Sequence, residues 1–401
     1  MKRFPRELML KKSFERMRKF MPPFTAYIKS MAYISKNNCL KIKRCMSGVY
    51  PLLCLHLMIS CSGDQEVNSF SFDEYEINEI STLFSAENST EFHSPTSIRA
   101  IEGGFLLLDN NRFIKMDHNG NKLFTFGGEG RGPGEYQQVS GFWEIGNTFL
   151  IYDRLSAKFI HFDKKGIWMN DTSIDHEIIP LFPSSIVVID RSLFAIATRG
   201  DNGSLAMIVN LESEQIKYIG EALGDYIRMD PPPDPYETHK AVNSRVIPED
   251  YKNSVLLDSN ETGLFIYQQT TAMLEKYSHD GELLWSRNLK FPIQEGLFDH
   301  MFEVNADRLN RGSPVSYNYG FNHAMALSAT PDGIAVLINK IEKDSVTVAW
   351  VSNDGEDISL INFKGINHYT NRFAIPTNIE KPFILFVNSL QGIIYKADWP
   401  L

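Results

Sequence analysis

Beyond residue 61 the chain has no cysteine. All four, Cys39, Cys45, Cys54 and Cys61, lie in the first 61 of its 401 residues. The remaining 340 residues therefore carry no disulfide framework and no thiolate zinc site. Such a composition suits an oxidising compartment, where a stray thiol could mispair. Other signatures are missing too. The ten histidines are scattered with no His-Glu-x-x-His among them, and there is no Gly-x-Ser-x-Gly elbow and no twelve-residue calcium loop of the EF type. Positive charge is scarce after residue 60. The first 60 residues hold thirteen Lys/Arg against two Asp/Glu, whereas the rest holds 27 against 47, a net of −20. A surface this acidic argues against nucleic acid as a partner, because phosphate binding needs a positive footprint.

No apolar run is long enough to span a membrane as a helix, which takes about 20 residues. The longest candidate, "MSGVYPLLCLHLMIS" at 46–60, has fifteen residues and includes Pro51 and His56. It follows Lys41, Lys43 and Arg44, so it has the charged and apolar regions of a secretory signal. It closes on Met58-Ile59-Ser60-Cys61, which resembles a bacterial lipobox, with Cys61 the residue that receives lipid. The polar stretch after it would serve as a tether. Asp64 and Glu66 resemble the surface-export signal of some gram-negative lipoproteins. The organisation expected is an over-extended start (1–30) with Met31 the initiator, a lipoprotein signal peptide (31–60), a flexible tether (61–71) and one folded domain (72–401).

What the domain does have is repetition. Short β-branched and aromatic runs alternate with turn signals, and no convincing helix is expected after Cys61. Hairpins read at 113–127 around Asn119-Gly120, at 158–171 around Lys165-Gly166 and at 205–220 around Glu212. Two more read at 273–289 around Asp280-Gly281 and at 346–363 around Asp354-Gly355. Each follows another strand pair, as in "IRAIEGGFLLLD" (98–109) or "GFWEIGNTFLIYD" (141–153). Turns at 120, 166 and about 212 are 46 residues apart, close to the period of about 45 of a four-stranded propeller blade. The last unit, 371–400, stops after three strands. The fold expected is all-β, a six-bladed β-propeller of four-stranded antiparallel blades, with an N-terminal strand from 72–80 closing the last blade.

The segment "FTFGGEGRGPGEYQQVSGF" (124–142) resembles the Gly-Pro-Gly-Glu-Tyr stretch of bacterial six-bladed propeller lipoproteins described as TolB-like or NHL-like. With the lipobox and the blade count, that resemblance implies a fold and an exported location, an outer-membrane lipoprotein on the periplasmic or cell-surface side. It implies little chemistry, because propellers host many unrelated functions.

Candidate site residues come from three places. In "GGEGRGPGEY" (127–136) five glycines and Pro133 read as a tight crossover from blade 1 to blade 2, and no Gly-Lys-Ser/Thr follows to make a phosphate loop. Arg131, Glu135 and Tyr136 are its polar groups, candidates for the channel mouth. Two inserts, 221–252 with its three consecutive prolines and 291–324, interrupt the blade spacing. The second ends in Tyr317, Tyr319, Phe321, Asn322 and His323 just before an inner strand. Aromatic faces beside amide and imidazole groups suit a sugar or small polar ligand, while the bland reading is a cap packed over the blades. No catalytic constellation is present, and no acid pair can be picked from 47 candidates.

The expected function is a lipid-anchored, non-catalytic binding module. It would attach to the membrane through Cys61 and hold a glycan, a small polar ligand or an envelope protein at the channel face. No cofactor is required. The competing expectations are a divalent-metal-dependent hydrolase or lyase of lactonase type, with Ca2+ held by channel-facing carboxylates and amides, and a scaffold subunit of an envelope complex.

Overall fold

Runs such as "FLLL", "FLIY" and "FILFV" are apolar at every position rather than at alternate ones. A strand of that kind must be covered on both faces. The computed structural model shows how. It describes residues 71–88, 92–174, 185–224, 235–311, 320–376 and 379–401. Residues 71–401 form one compact unit. Each apolar run is the second strand of a blade, pressed between two neighbouring blades. Phe105, Leu106, Leu107, Phe149, Ile151, Ile384, Leu385 and Phe386 are all fully buried.

The described chain opens with β1 (Asp73–Ile77) and β2 (Ile80–Ser85). Blade 1 is β3 (Pro95–Ile101), β4 (Gly104–Asp109), β5 (Arg112–Met116) and β6 (Lys122–Phe126). After the short pair β7 (Gly128–Glu129) and β8 (Glu135–Tyr136), blade 2 is β9 (Val139–Ile145), β10 (Thr148–Asp153), β11 (Lys158–Asp163) and β12 (Trp168–Ser173). Blade 3 is β13 (Ile186–Val188), β14 (Leu193–Ala197), β15 (Ala206–Asn210) and β16 (Gln215–Ile219). Blade 4 is β17 (Val255–Asn260), β18 (Gly263–Gln268), β19 (Met273–Tyr277) and β20 (Leu283–Asn288). Blade 5 is β21 (Ala324–Thr330), β22 (Gly333–Ile338), β23 (Ser345–Ser352) and β24 (Ile358–Lys364), and blade 6 is β25 (Thr370–Ala374), β26 (Phe383–Asn388) and β27 (Ile393–Asp398). Six blades is the number expected from the repeat.

The ring closes through β2, which pairs antiparallel with β27 as the fourth strand of blade 6. An N-terminal closing strand was expected at 72–80, and only Ile80 of that window belongs to it. Most of the window is β1, which adds to blade 5 as a fifth strand parallel to β24. The two strands are two residues apart and run as a belt over the outer edges of two blades.

Two local devices make the blades. At the hairpins, Gly120, Gly166, Gly281 and Gly355 have φ of 85°, 77°, 77° and 76°, the left-handed values glycine tolerates. The residue before each glycine stays at negative φ, because a carboxylate or hydroxyl begins the turn. Asp117 Oδ1 accepts the N–H of Asn119 at 2.9 Å and of Asn121 at 2.8 Å, and Asp163 repeats this with Lys165 and Ile167. The other device fastens one blade's second strand to its own inner strand. Fully buried Asp153 accepts the N–H groups of Gln137, Gln138 and Leu155 and the Ser156 hydroxyl. Asp109 does the same for His93 and Ser94.

The inserts depart from expectation in one respect, since they are partly helical. Helices α1 (Pro235–Asn243), α2 (Glu249–Lys252) and α3 (Leu297–Asn310) lie in the blade 3–4 and blade 4–5 crossovers. Val242 of α1 packs with Leu297, Met301 and Phe302 of α3 and with Phe321, a small core separate from the blades. The apolar face of α3 pays for its helix; the intrinsic propensity of a 14-residue segment would be marginal alone. In an antiparallel four-stranded blade the outer strand ends on the side where the next inner strand begins. Every crossover, and so the helical cap, therefore lies on that one face.

Candidate functional site

The six inner strands, β3, β9, β13, β17, β21 and β25, neighbour one another around the axis. They enclose a cavity of about 440 Å³ to which every blade contributes. That volume falls in the range of small-ligand pockets, about 300–1,000 Å³. Its lining combines hydroxyls (Ser97, Ser140, Ser328), one indole (Trp143) and three charged groups (Arg99, Asp258 and Arg372).

The charges are arranged, not scattered. Arg99 of blade 1 reaches Asp258 of blade 4, Nη2 to Oδ1, at 3.0 Å. The Asp258 carboxylate also accepts the N–H of Ser259 at 3.0 Å and of Ala329, in blade 5, at 2.9 Å. The guanidinium lies 5.7 Å from the centre of the Trp143 ring in blade 2. Trp143 is itself placed by Gly141, where a Cβ would come within 2.2 Å of the indole. Thus four blades hold one arginine in position. Arg372 of blade 6 is different: its Nη1 donates to the Asn371 carbonyl at 2.8 Å, and it has no carboxylate partner among the described residues. It is open to water inside the channel, yet protein surrounds it, and that loss of bulk solvent lowers its pKa.

The residues expected from sequence lie elsewhere. Arg131 is exposed on the blade 1–2 crossover. Glu135 turns back into its own loop and accepts the Gly132 N–H at 2.8 Å. A Cβ at Gly130 would fall 1.9 Å from that carboxylate, which is why the loop is glycine there. Tyr136 is buried against Phe113, ring centres 5.5 Å apart, and burial raises its pKa. None of the three lines the cavity. Asn322 meets blade 5 and His323 meets the cap. Asn322 donates to the Ala324 carbonyl at 3.2 Å and accepts from Asn339. His323 stacks on Phe298 of α3, centres 4.4 Å apart and planes 23° apart. Its Nδ1 is buried and has no partner among the described residues, and desolvation, with Lys290 nearby, lowers its pKa to about 4. Two positions on, Met325 lines the cavity, so the cap borders the channel end where inner strands begin. Tyr317, Tyr319 and Cys61 lie outside the described residues, as do the start and signal segments. Among the described residues, no group of three or more His, Cys, Asp or Glu could hold a metal ion, and no helix is long and apolar enough to cross a membrane.

Sequence reasoning passed over Arg99, Asp258 and Arg372. The signal it could have used is a charge inside an inner strand, "SIRAI" and "NRFAI", directly followed by apolar residues.

No family model matches the chain, and no curated protein does. Solved structures do share its fold. A protein from Bacteroides fragilis inferred to be exported is 11% identical with a TM-score of 0.50, over 82% of this chain and 100% of that one. A member of the DUF4221 family from Bacteroides vulgatus is 9% identical with a TM-score of 0.49, over 80% and 96%. Virginiamycin B lyase from Staphylococcus aureus is 10% identical with a TM-score of 0.40, over 80% and 99%. At such identities the likeness is one of architecture. The chain is a six-bladed β-propeller, and the likeness extends to that architecture without assigning a family.

Proposed function

We propose that this chain is an exported, lipid-anchored propeller that binds a small polar ligand in its central channel and does not transform it. The observation that carries the reading is the cavity itself, of ligand size and lined from all six blades, with polar side chains aligned by contacts between blades. Preorganised polar groups in a rigid concavity favour binding, because little conformational freedom remains to be lost. Export and anchoring rest on the lipobox ending at Cys61 and on the similar fold of the Bacteroides fragilis protein.

The test is a thermal-unfolding screen of the protein against monosaccharides and glycan fragments, run beside Ser328→Trp and Ser140→Trp. Either indole would fill the channel from a different blade. A ligand at about 100 times its Kd adds roughly 2.7 kcal/mol of apparent stability. That shift should vanish in both variants. A shift untouched by both would place the ligand on the cap or the rim and end the channel reading.

A further inference from the structure

We infer that the channel's ligand carries an oxyanion, a carboxylate, sulfate or phosphate, seated between Arg372 and Arg99; this rests on the channel being the binding site. Three observations lead there. First, the charged groups lining the cavity are two guanidiniums and one carboxylate, in a protein whose net charge is −9. An acidic protein that keeps an excess of positive charge on its axis has concentrated it against its own overall balance. Walls of low dielectric focus such a field into the channel.

Second, the single carboxylate is already engaged. Asp258 takes hydrogen bonds from Arg99 and from two backbone N–H groups, so it has little left with which to neutralise Arg372. Blade 6 and blade 1 are neighbours through β25 and β3, which places the two arginines on adjacent inner strands. Two guanidiniums that line one cavity from adjacent strands supply the paired donors that the oxygens of an oxyanion take. With Arg99 held by Asp258 and Trp143, one of the two is fixed before any ligand arrives.

Third, neutral donors stand beside the two cations: the hydroxyls of Ser97, Ser140 and Ser328 line the same cavity. The reduced pKa of Arg372 agrees with this picture, since protein crowds a cation that has no carboxylate partner among the described residues.

Uncompensated charge has a consequence that can be read without any ligand. Removing it should make the empty protein more stable while removing its affinity for anions. The experiment measures thermal unfolding of the protein with glucuronate, inorganic sulfate, inorganic phosphate or neutral glucose at matched ionic strength, for the parent, Arg372→Met and Ser328→Trp. The three anions separate an acidic sugar from a sulfated or phosphorylated source. We expect at least one oxyanion to raise the parent's Tm and glucose to leave it unchanged. Arg372→Met should weaken that oxyanion about tenfold or more, as loss of a charge-assisted hydrogen bond does, and should raise the Tm in anion-free buffer.

Glucose acting on the parent but not on Ser328→Trp, with all oxyanions silent, would overturn the charge inference and leave the channel reading standing. An oxyanion shift that survives in Ser328→Trp would overturn both. One that survives in Arg372→Met alone would remove that residue from the site and the inference with it. Should none of the four compounds act, the anion-free Tm of Arg372→Met decides. A rise supports a charge held in reserve for an anion, and no change or a fall refutes it.

Discussion

Replacing His323 by phenylalanine should remove one specific slope from the protein's stability against pH. In the folded protein the imidazole is 5% exposed, stacked on Phe298 and without a partner at Nδ1, and its pKa falls from 6.5 to about 4. Desolvation is the main cause and Lys290 adds to it. The folded state therefore takes up this proton later than the unfolded one. Between pH 6.5 and about 4 the unfolded chain binds more protons, so stability is whole above the upper value and drains away as pH falls through the window. Each pKa unit corresponds to about 1.36 kcal/mol. Going from pH 7.5 to 4.5 the parent should lose about 2.5 kcal/mol through this group. Taking an unfolding entropy of about 2.1 cal/mol/K per residue over the ordered propeller, that is a fall of about 4 °C. Carboxylates and the other histidines titrate alike in parent and variant, so the difference of differences isolates residue 323. The assay is thermal or urea unfolding of both proteins at the two pH values. Equal losses in parent and variant would mean that His323 titrates as it does in water, and the desolvated pocket under α3 would be wrong.

Two further perturbations probe the ring. Buried Lys276 donates to Thr262 Oγ1 at 2.7 Å in its own blade and to the Asn353 carbonyl at 2.8 Å in blade 5. Lys276→Met should cost about 1–3 kcal/mol by urea unfolding, the size of lost hydrogen bonds to a charged donor, and an unchanged midpoint would show that this seam does not depend on it. Removal of residues 1–78 takes β1 but leaves the ring closed, whereas removal of residues 1–86 also takes β2 and opens blade 6. Limited proteolysis should leave the first intact and cut the second, and equal resistance would argue that β2 is not the closure.

Much of the architecture is legible in the sequence because it is built from local signals. The turns at Asn119-Gly120, Lys165-Gly166, Asp280-Gly281 and Asp354-Gly355 each sit between the third and fourth strands of a blade, and the apolar runs before them are buried second strands. The helices of the inserts were missed although α3 carries a helical spacing in Leu297, Met301 and Phe302. Its apolar face meets Val242 and Phe321 from other segments, and that partnership is not local. The channel is harder still. Arg99 and Asp258 are 159 residues apart in sequence and meet across the channel because half a turn of the ring sets blade 4 opposite blade 1. Nothing near either residue announces the other. The glycine-rich crossover drew attention through composition, yet its glycines serve the close fit of Glu135 and its tyrosine fills the core between two blades.

The latch strand also sets the order of assembly. Ser81 hydrogen-bonds to Lys396, 315 residues later, so the ring stays an open arc until β27 has been made. Closing a flexible loop of that length would cost about 5 kcal/mol beyond a constant term. Blades that have already stacked shorten the gap, which makes closure the natural last step. A chain delivered across a membrane from its N-terminus would carry β2 over long before the strand it must meet. Until that strand arrived, β2 would stand unpaired and the face of blade 1 that packs on blade 6 would lie uncovered, and the axis would have no channel to offer a ligand.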